Sequence, residues 1–356
     1  MPAATAARMV APSPPSPSTA SARPIHLGFV AAADCAPLIV ARDLGLFRKH
    51  GLDVRLSREA GWATVRDKIY AGELDAAQAV TGVALVLGLG LGGLSREVSV
   101  PLMLNAHGNA LTLGESLPHK AIGLGEGLAS FLEHRWRRSQ LCTFAVGHRY
   151  SSHHILLQAW LQQHGLHGHP QLQIIFLPPP LMAGNLKAGH IDGYCAAEPW
   201  NSQAILGGYG WVVATSAEIA SHHPEKVLIV TSDLQRHRPA EVISLTAALL
   251  EACRICQDPA FREDLIIMLA KPQATGVSPA LLRNSLGPIF RSGRGDLDAS
   301  SFHLFHGSDL NCPSTDKASW FLAGLRYSGL LPDSAVGNIT RIFRTDIFQA
   351  AEHALQ

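Results

Sequence analysis

"APLIVARDLGLFRKHGLDVRL", residues 36–56, decides the fold. Its apolar positions recur at helical spacing as far as Gly51, and "LDVRLSR" (52–58) then alternates like a strand. Just before it, "IHLGFV" (25–30) reads as a strand. A helix that follows a strand at once turns its N-terminal amides toward the sheet's carboxyl edge, where an anion is stabilised.

Working outward, the alternation continues. "WATVRDKIYAGE" (62–73) predicts a helix, "LDAAQAV" (74–80) a strand, and "PLMLNA" (101–106) another strand. A second series follows, with strands "CTFAVG" (142–147), "LQIIFLP" (172–178) and "IDGYCAAEP" (191–199). Helices are expected near 153–164 and from Pro180 to Gly189, and mostly helix after about 239. Repeated β-α-β units predict parallel sheets flanked by helices, and two such series predict two lobes facing a cleft.

The 356 residues are 47% hydrophobic and 16% charged, a composition for a globular chain with a full core. A formal net charge of +1, with no long run of either sign, argues against a nucleic-acid surface. Six cysteines scattered through so long a chain are no disulfide framework, which points to a compartment where thiols stay reduced. The Cys253/Cys256 pair lies within a helical pattern and reads as packing.

Residues 76–95 ("AAQAVTGVALVLGLGLGGLS") carry no charge but are diluted by glycine, so a buried helix is expected in place of a membrane span. The GxGxxG at Gly88, Gly90 and Gly93 ends that helix and does not begin one, the wrong context for a dinucleotide. The eighteen histidines, including "HGLHGHP" (164–170) and "HLFH" (303–306), lack a completing set of metal ligands and are read as solvated or capping groups. No cofactor is expected. Residues 1–23 are Ala, Pro and Ser with two arginines and no apolar run, the pattern of a disordered tail.

Several ordered stretches carry a resemblance: "DCAPLIVA" (34–41), "EAGWATVRD" (59–67), "SSHHILLQAWL" (151–161), "PPPLMAGNLKAGHIDGYCAAEPWN" (178–201) and "HHPEKV" (222–227). In order and type they resemble the nitrate- and bicarbonate-binding NrtA, NasS and CmpA family, over residues 25–351. The resemblance implies an α/β, two-lobed type II periplasmic-binding-protein-like fold, each lobe a mainly parallel sheet flanked by helices, with a helical C-terminal part. It implies a first lobe from 24–112 plus 222–356, a second from 113–221, and a ligand cleft between them.

The resemblance also implies a pocket. Trp62 would offer an indole N–H and a flat wall, Asn109 a side-chain amide where the family often has Gln, and His153 the pocket histidine. Lys226 would supply the positive charge, and Gly147 a backbone contact. Glu198 is expected to orient a pocket donor, Trp200 to wedge between the lobes, and Asn201 to cap the next helix. Bicarbonate-binding members use calcium and an acceptor for the ligand's O–H, so Lys226 favours a ligand without a proton: nitrate or nitrite. Residues 1–24 hold neither a lipid-accepting Cys nor an apolar run, so the expectation is a cytoplasmic NasS-like sensor that controls an ANTAR-domain antiterminator. The alternatives are an exported component of an ABC transporter and, remotely, an enzyme similar to thiamine-pyrimidine synthases.

Overall fold

A computed structural model describes residues 23–93, 95–115, 117, 126–138, 140–221, 223–332 and 339–356. The expected tail lies outside the described residues up to position 22, and its last residue, Arg23, is tied down by an ion pair to Asp75 at 2.6 Å.

Among the described residues the main strands form two five-stranded sheets. In the first, β1 (Ile25–Val30) runs parallel to β2 (Val54–Glu59) and β3 (Ala76–Val80). β4 (Val98–Met103) closes its far edge, beyond β11 (Lys226–Thr231). In the second, β7 (Cys142–Val146) runs parallel to β8 (Leu172–Phe176) and β9 (Gly193–Ala197). β6 (Asn109–Gly114) and β10 (Gly210–Thr215) complete it, and the short β5 (Ala106–His107) pairs with His303–Leu304.

The sheets are mixed, and the antiparallel members have one physical cause. β6 is antiparallel to β9 and β10, and β11 is antiparallel to β3 and β4. Each is the strand by which the chain enters a new lobe. A chain that crosses from one sheet to the other arrives at the carboxyl edge of the parallel strands, so it must run back against them. The first residues of these strands, Asn109 and Lys226, therefore sit where open α/β sheets hold their ligands.

Two apolar clusters sandwich the first sheet, one built on Leu38, Ile39, Leu245 and Leu249, the other on Val65, Ile69, Val83 and Phe321. The second sheet is covered by Phe144, Leu157, Trp160 and Trp211 on one side and Met182, Tyr194 and Trp200 on the other. The single helix expected over 36–51 is broken. Ala36–Asp43 stops before Gly45, whose φ of 72° belongs to the left-handed region, and a short turn follows to Lys49. The apolar helix Thr81–Leu89 ends at Gly90, φ 69°, as the glycine pattern implied.

The expected lobe boundaries shift in two places. Residues 109–112 belong to β6 and thus to the second sheet. Residues 289–302 return to it as well: Phe290 and Phe302 pack with Ala110 and Val212, and Ser292 accepts the Val212 N–H at 2.7 Å. Both shifts follow from apolar side chains that find their burial across the lobe boundary.

Cys253 and Cys256 are buried free thiols on the helix Pro239–Gln257. Among the described residues, no group of three or more His, Cys, Asp or Glu side chains is placed to hold a metal ion. Also among them, no helix is long and apolar enough to cross a membrane.

Candidate functional site

The carboxyl edges of the parallel strands each deliver a polar side chain to one place. Asp34 follows β1, Trp62 opens the helix after β2, and Thr81 opens the helix after β3. From the other lobe, Gly147 follows β7, and His153 lies in the first turn of Ser152–Gln163. That helix is capped by Ser151, whose Oγ accepts from the His154 N–H at 3.3 Å. Several helix N-termini thus point at the same volume, a field that favours negative charge.

The five residues proposed for the pocket are brought together. A Cβ placed on Gly147 would lie 3.4 Å from Trp62 Nε1 and 3.5 Å from His153 Nδ1. Both ring nitrogens are buried, and neither has a hydrogen-bond partner. Orphaned buried polar atoms cost free energy, so two of them aimed at the backbone of a glycine mark a spot built for a ligand. The Lys226 ammonium lies 5.4 Å from the centre of the Trp62 ring, and Asn109 Oδ1 is 3.1 Å from His153 Nε2.

Glu225, which the sequence reading passed over, is the hub. Its Oε1 accepts from Lys226 Nζ and, at 2.7 Å, from Ser152 Oγ. Its Oε2 accepts from Asn109 Nδ2 at 2.7 Å. Ser152 and Asn109 belong to the second lobe, so one carboxylate ties the lobes shut. Thr81 Oγ1 adds a bond to the Glu225 carbonyl at 2.9 Å. Asn109, His153, Glu225 and Lys226 are all 0% exposed.

The charge balance corrects one expectation. Lys226 is no free cation, because Asp34 Oδ2 stands 2.8 Å from its ammonium opposite Glu225. One ammonium facing two carboxylates leaves a formal charge of −1. Burial opposes ionisation of Glu225, but Lys226, His153 and His223 outweigh it and hold the carboxyl at about 2. Burial pushes Asp34 up, against the pull of Lys226. Burial, reinforced by Lys226, pushes His153 down to about 3, so its ring is neutral near pH 7.

Glu198, Trp200 and Asn201 act elsewhere. The Glu198 carboxylate accepts from Ser202 Oγ at 2.6 Å and Ser285 Oγ at 2.7 Å, with no bond to a pocket donor. Trp200 packs into the second lobe with Tyr194 and Met182 in place of wedging between the lobes. Asn201 lies inside the helix Trp200–Leu206 and donates to the Ala196 carbonyl at 2.8 Å, so it caps nothing.

The lobes come close at Gly82, where a Cβ would lie within 1.5 Å of the Tyr150 carbonyl oxygen. A hydrogen there is all that closure allows.

Comparisons fit this architecture. A model of the NMT1-like family matches residues 18–270. The nitrate import ATP-binding protein NrtC of Synechocystis is 36% identical over 92% of this chain and 50% of its own length. The bicarbonate transport ATP-binding protein CmpC of the same organism is 35% identical over 93% of the chain and 50% of its own length. The chain therefore spans about half the length of these curated relatives. The crystal structure of the periplasmic nitrate-binding protein NrtA from Synechocystis superposes with a TM-score of 0.87 at 24% identity, covering 94% of this chain and 90% of that one.

Proposed function

We propose, from the premise that this chain belongs to the NMT1-like family, that it binds nitrate or nitrite between its two lobes and reports that binding to a protein partner. It is a binding protein and not an enzyme. The observation that carries the ligand is the pair of unpartnered buried nitrogens, Trp62 Nε1 and His153 Nδ1, facing one spot beside Gly147. A small planar anion with acceptor oxygens matches a flat indole wall with an N–H at its edge. The names of a nitrate-import relative and a nitrate-binding structural neighbour point the same way.

The bicarbonate relative makes bicarbonate the competitor. Its O–H needs an acceptor, and both nearby carboxylates are engaged: Glu225 by Lys226, Ser152 and Asn109, Asp34 by Lys226 and, at 2.7 Å, by Gln78, which leaves it only an unprotonated His153 Nδ1. Calorimetry of the purified chain with nitrate, nitrite, bicarbonate and sulfate is expected to rank nitrate or nitrite first. A preference for bicarbonate would contradict the reading. In Trp62→Phe the wall stays and the N–H goes. A hydrogen bond to a charged partner contributes about 1.5–3 kcal/mol, so nitrate affinity is expected to fall about 10- to 100-fold. Fluorescence-detected titration checks it, and thermal unfolding should stay near the parent value.

For the role, we favour a cytoplasmic sensor that holds an ANTAR-domain antiterminator until the anion binds. The buried cysteines here are free thiols, which fits a compartment where thiols stay reduced. Binding would favour the closed lobes, and release follows if the partner prefers them open. The exported transporter component is the second reading, favoured by the structural likeness to a periplasmic protein. Fractionation of the native host separates the two: recovery in the periplasm sinks the sensor.

A further inference from the structure

The hydrogen-bond chain from Glu225 to His153 has a direction. A carboxylate only accepts, so Asn109 must turn its NH2 toward Glu225 Oε2, at 2.7 Å. That leaves Asn109 Oδ1 facing His153 Nε2 at 3.1 Å, and a carbonyl oxygen only accepts. His153 Nε2 must therefore carry the proton. In a neutral ring, Nδ1 is then a bare lone pair, and Nδ1 is the atom that faces the pocket beside Gly147 and Trp62 Nε1. Flipping the Asn109 amide would set its oxygen against the Glu225 carboxylate and its NH2 toward the histidine, so the relay holds one sense.

A lone pair repels an incoming anion oxygen. The charges around the ring add to this. Lys226, Glu225 and His223 face it, with Glu225 Oε1 at 3.7 Å from Nε2, and Asp34 stands behind Lys226. On the same helix, His154 turns away to the Arg149 carbonyl at 2.7 Å. The formal charge of −1 would become −2 on entry of nitrate alone. Both Glu225 oxygens and Asp34 Oδ1 accept hydrogen bonds, Asp34 Oδ2 is held 2.8 Å from the Lys226 ammonium on the far side from the ring, and Trp62 takes up no proton.

We propose that Glu225, acting through Asn109, holds His153 with its proton on Nε2, so that a proton-free anion enters together with one solvent proton that lands on His153 Nδ1. The imidazolium then donates from Nδ1 to the anion and from Nε2 to Asn109, and the added charge is balanced. Glu225 and Asn109 are positioning residues in this scheme. It rests on the reading of the pocket as a nitrate or nitrite site.

Calorimetry with sodium nitrate at one pH, in buffers of different ionisation enthalpy, reads the number of protons taken up. About one proton per nitrate is expected, and affinity should fall about tenfold for each unit rise in pH. In Glu225→Gln the new amide can donate to Asn109 Oδ1, which frees Asn109 to donate to Nε2 and lets Nδ1 carry the proton in a neutral ring. Proton uptake is then expected to drop toward zero while nitrate still binds, a change that a merely structural residue would not produce. If that variant does not fold, the same buffer series on Asp34→Asn decides: uptake that persists places the proton on His153, and uptake that vanishes places it on Asp34 and overturns the inference. Nitrate binding without proton uptake overturns this inference and leaves the functional reading standing. No binding of nitrate or nitrite at all sinks both.

Discussion

Lys226→Ala is expected to lose nitrate binding and to destabilise the chain by about 3–5 kcal/mol, the range for breaking a buried ion pair by removing one partner. The ammonium bridges Asp34 and Glu225 at 0% exposure, so its loss leaves two buried carboxylates facing each other. Lys226→Met, which restores volume but not charge, should behave similarly. Adding Asp34→Asn to it should recover part of the loss, because one of the unpaired charges is gone. Urea unfolding of the single and double variants measures this. A loss below about 1 kcal/mol would mean that water reaches the triad.

The pH profile carries a matching signature. The folded-state value of Glu225 is lowered to about 2 from 4.5, so its contribution is complete above pH 4.5 and is lost as pH falls toward 2. Without Lys226 the acid limb of the stability curve should move to higher pH.

The second large effect is Gly82→Ala. Gly82 is the second residue of the helix after β3 in the first lobe, and its absent Cβ faces the Tyr150 carbonyl of the second. A methyl carbon within 1.5 Å of a backbone oxygen cannot be met by a rotamer change; the lobes must part. Each lobe keeps its own sheet and core, so the variant should fold. Closure should fail, and nitrate affinity is expected to fall by about 100-fold or more, since a competent state that is rarely populated weakens binding in proportion. Small-angle scattering with saturating nitrate is expected to show an expanded shape in Gly82→Ala against a compact parent. Equal compaction of both would show that the contact does not limit closure.

How much of this was legible in the sequence depends on which forces act locally. β1, β2, β3 and the helices between them follow from period and punctuation, because a half-buried element writes its face into its own residues. β6 and β11 do not. "NALTLG" and "KVLIVT" are buried at every position, so no alternation shows, and their antiparallel direction comes from the lobe crossing. Gly45 breaks the first helix although the apolar period continues through it.

The site divides in the same way. Trp62, Asn109, His153 and Lys226 were found through a family motif, and the geometry sets them side by side. Glu225 was missed because an acidic residue between Pro224 and Lys226 reads as solvated surface. Its burial is decided by Ser152 and Asn109, which lie 73 and 116 positions away. The charge balance of Lys226 was missed for the same reason, since Asp34 comes from the opposite end of the sheet's folding order.

The most direct test is the crystal structure of the chain grown with nitrate. The anion is expected between Trp62 Nε1 and His153 Nδ1, against the Gly147 backbone, with the lobes closed as they are around Glu225. A nitrate bound elsewhere, or a closed cleft left without it at saturating concentration, would contradict the central claim.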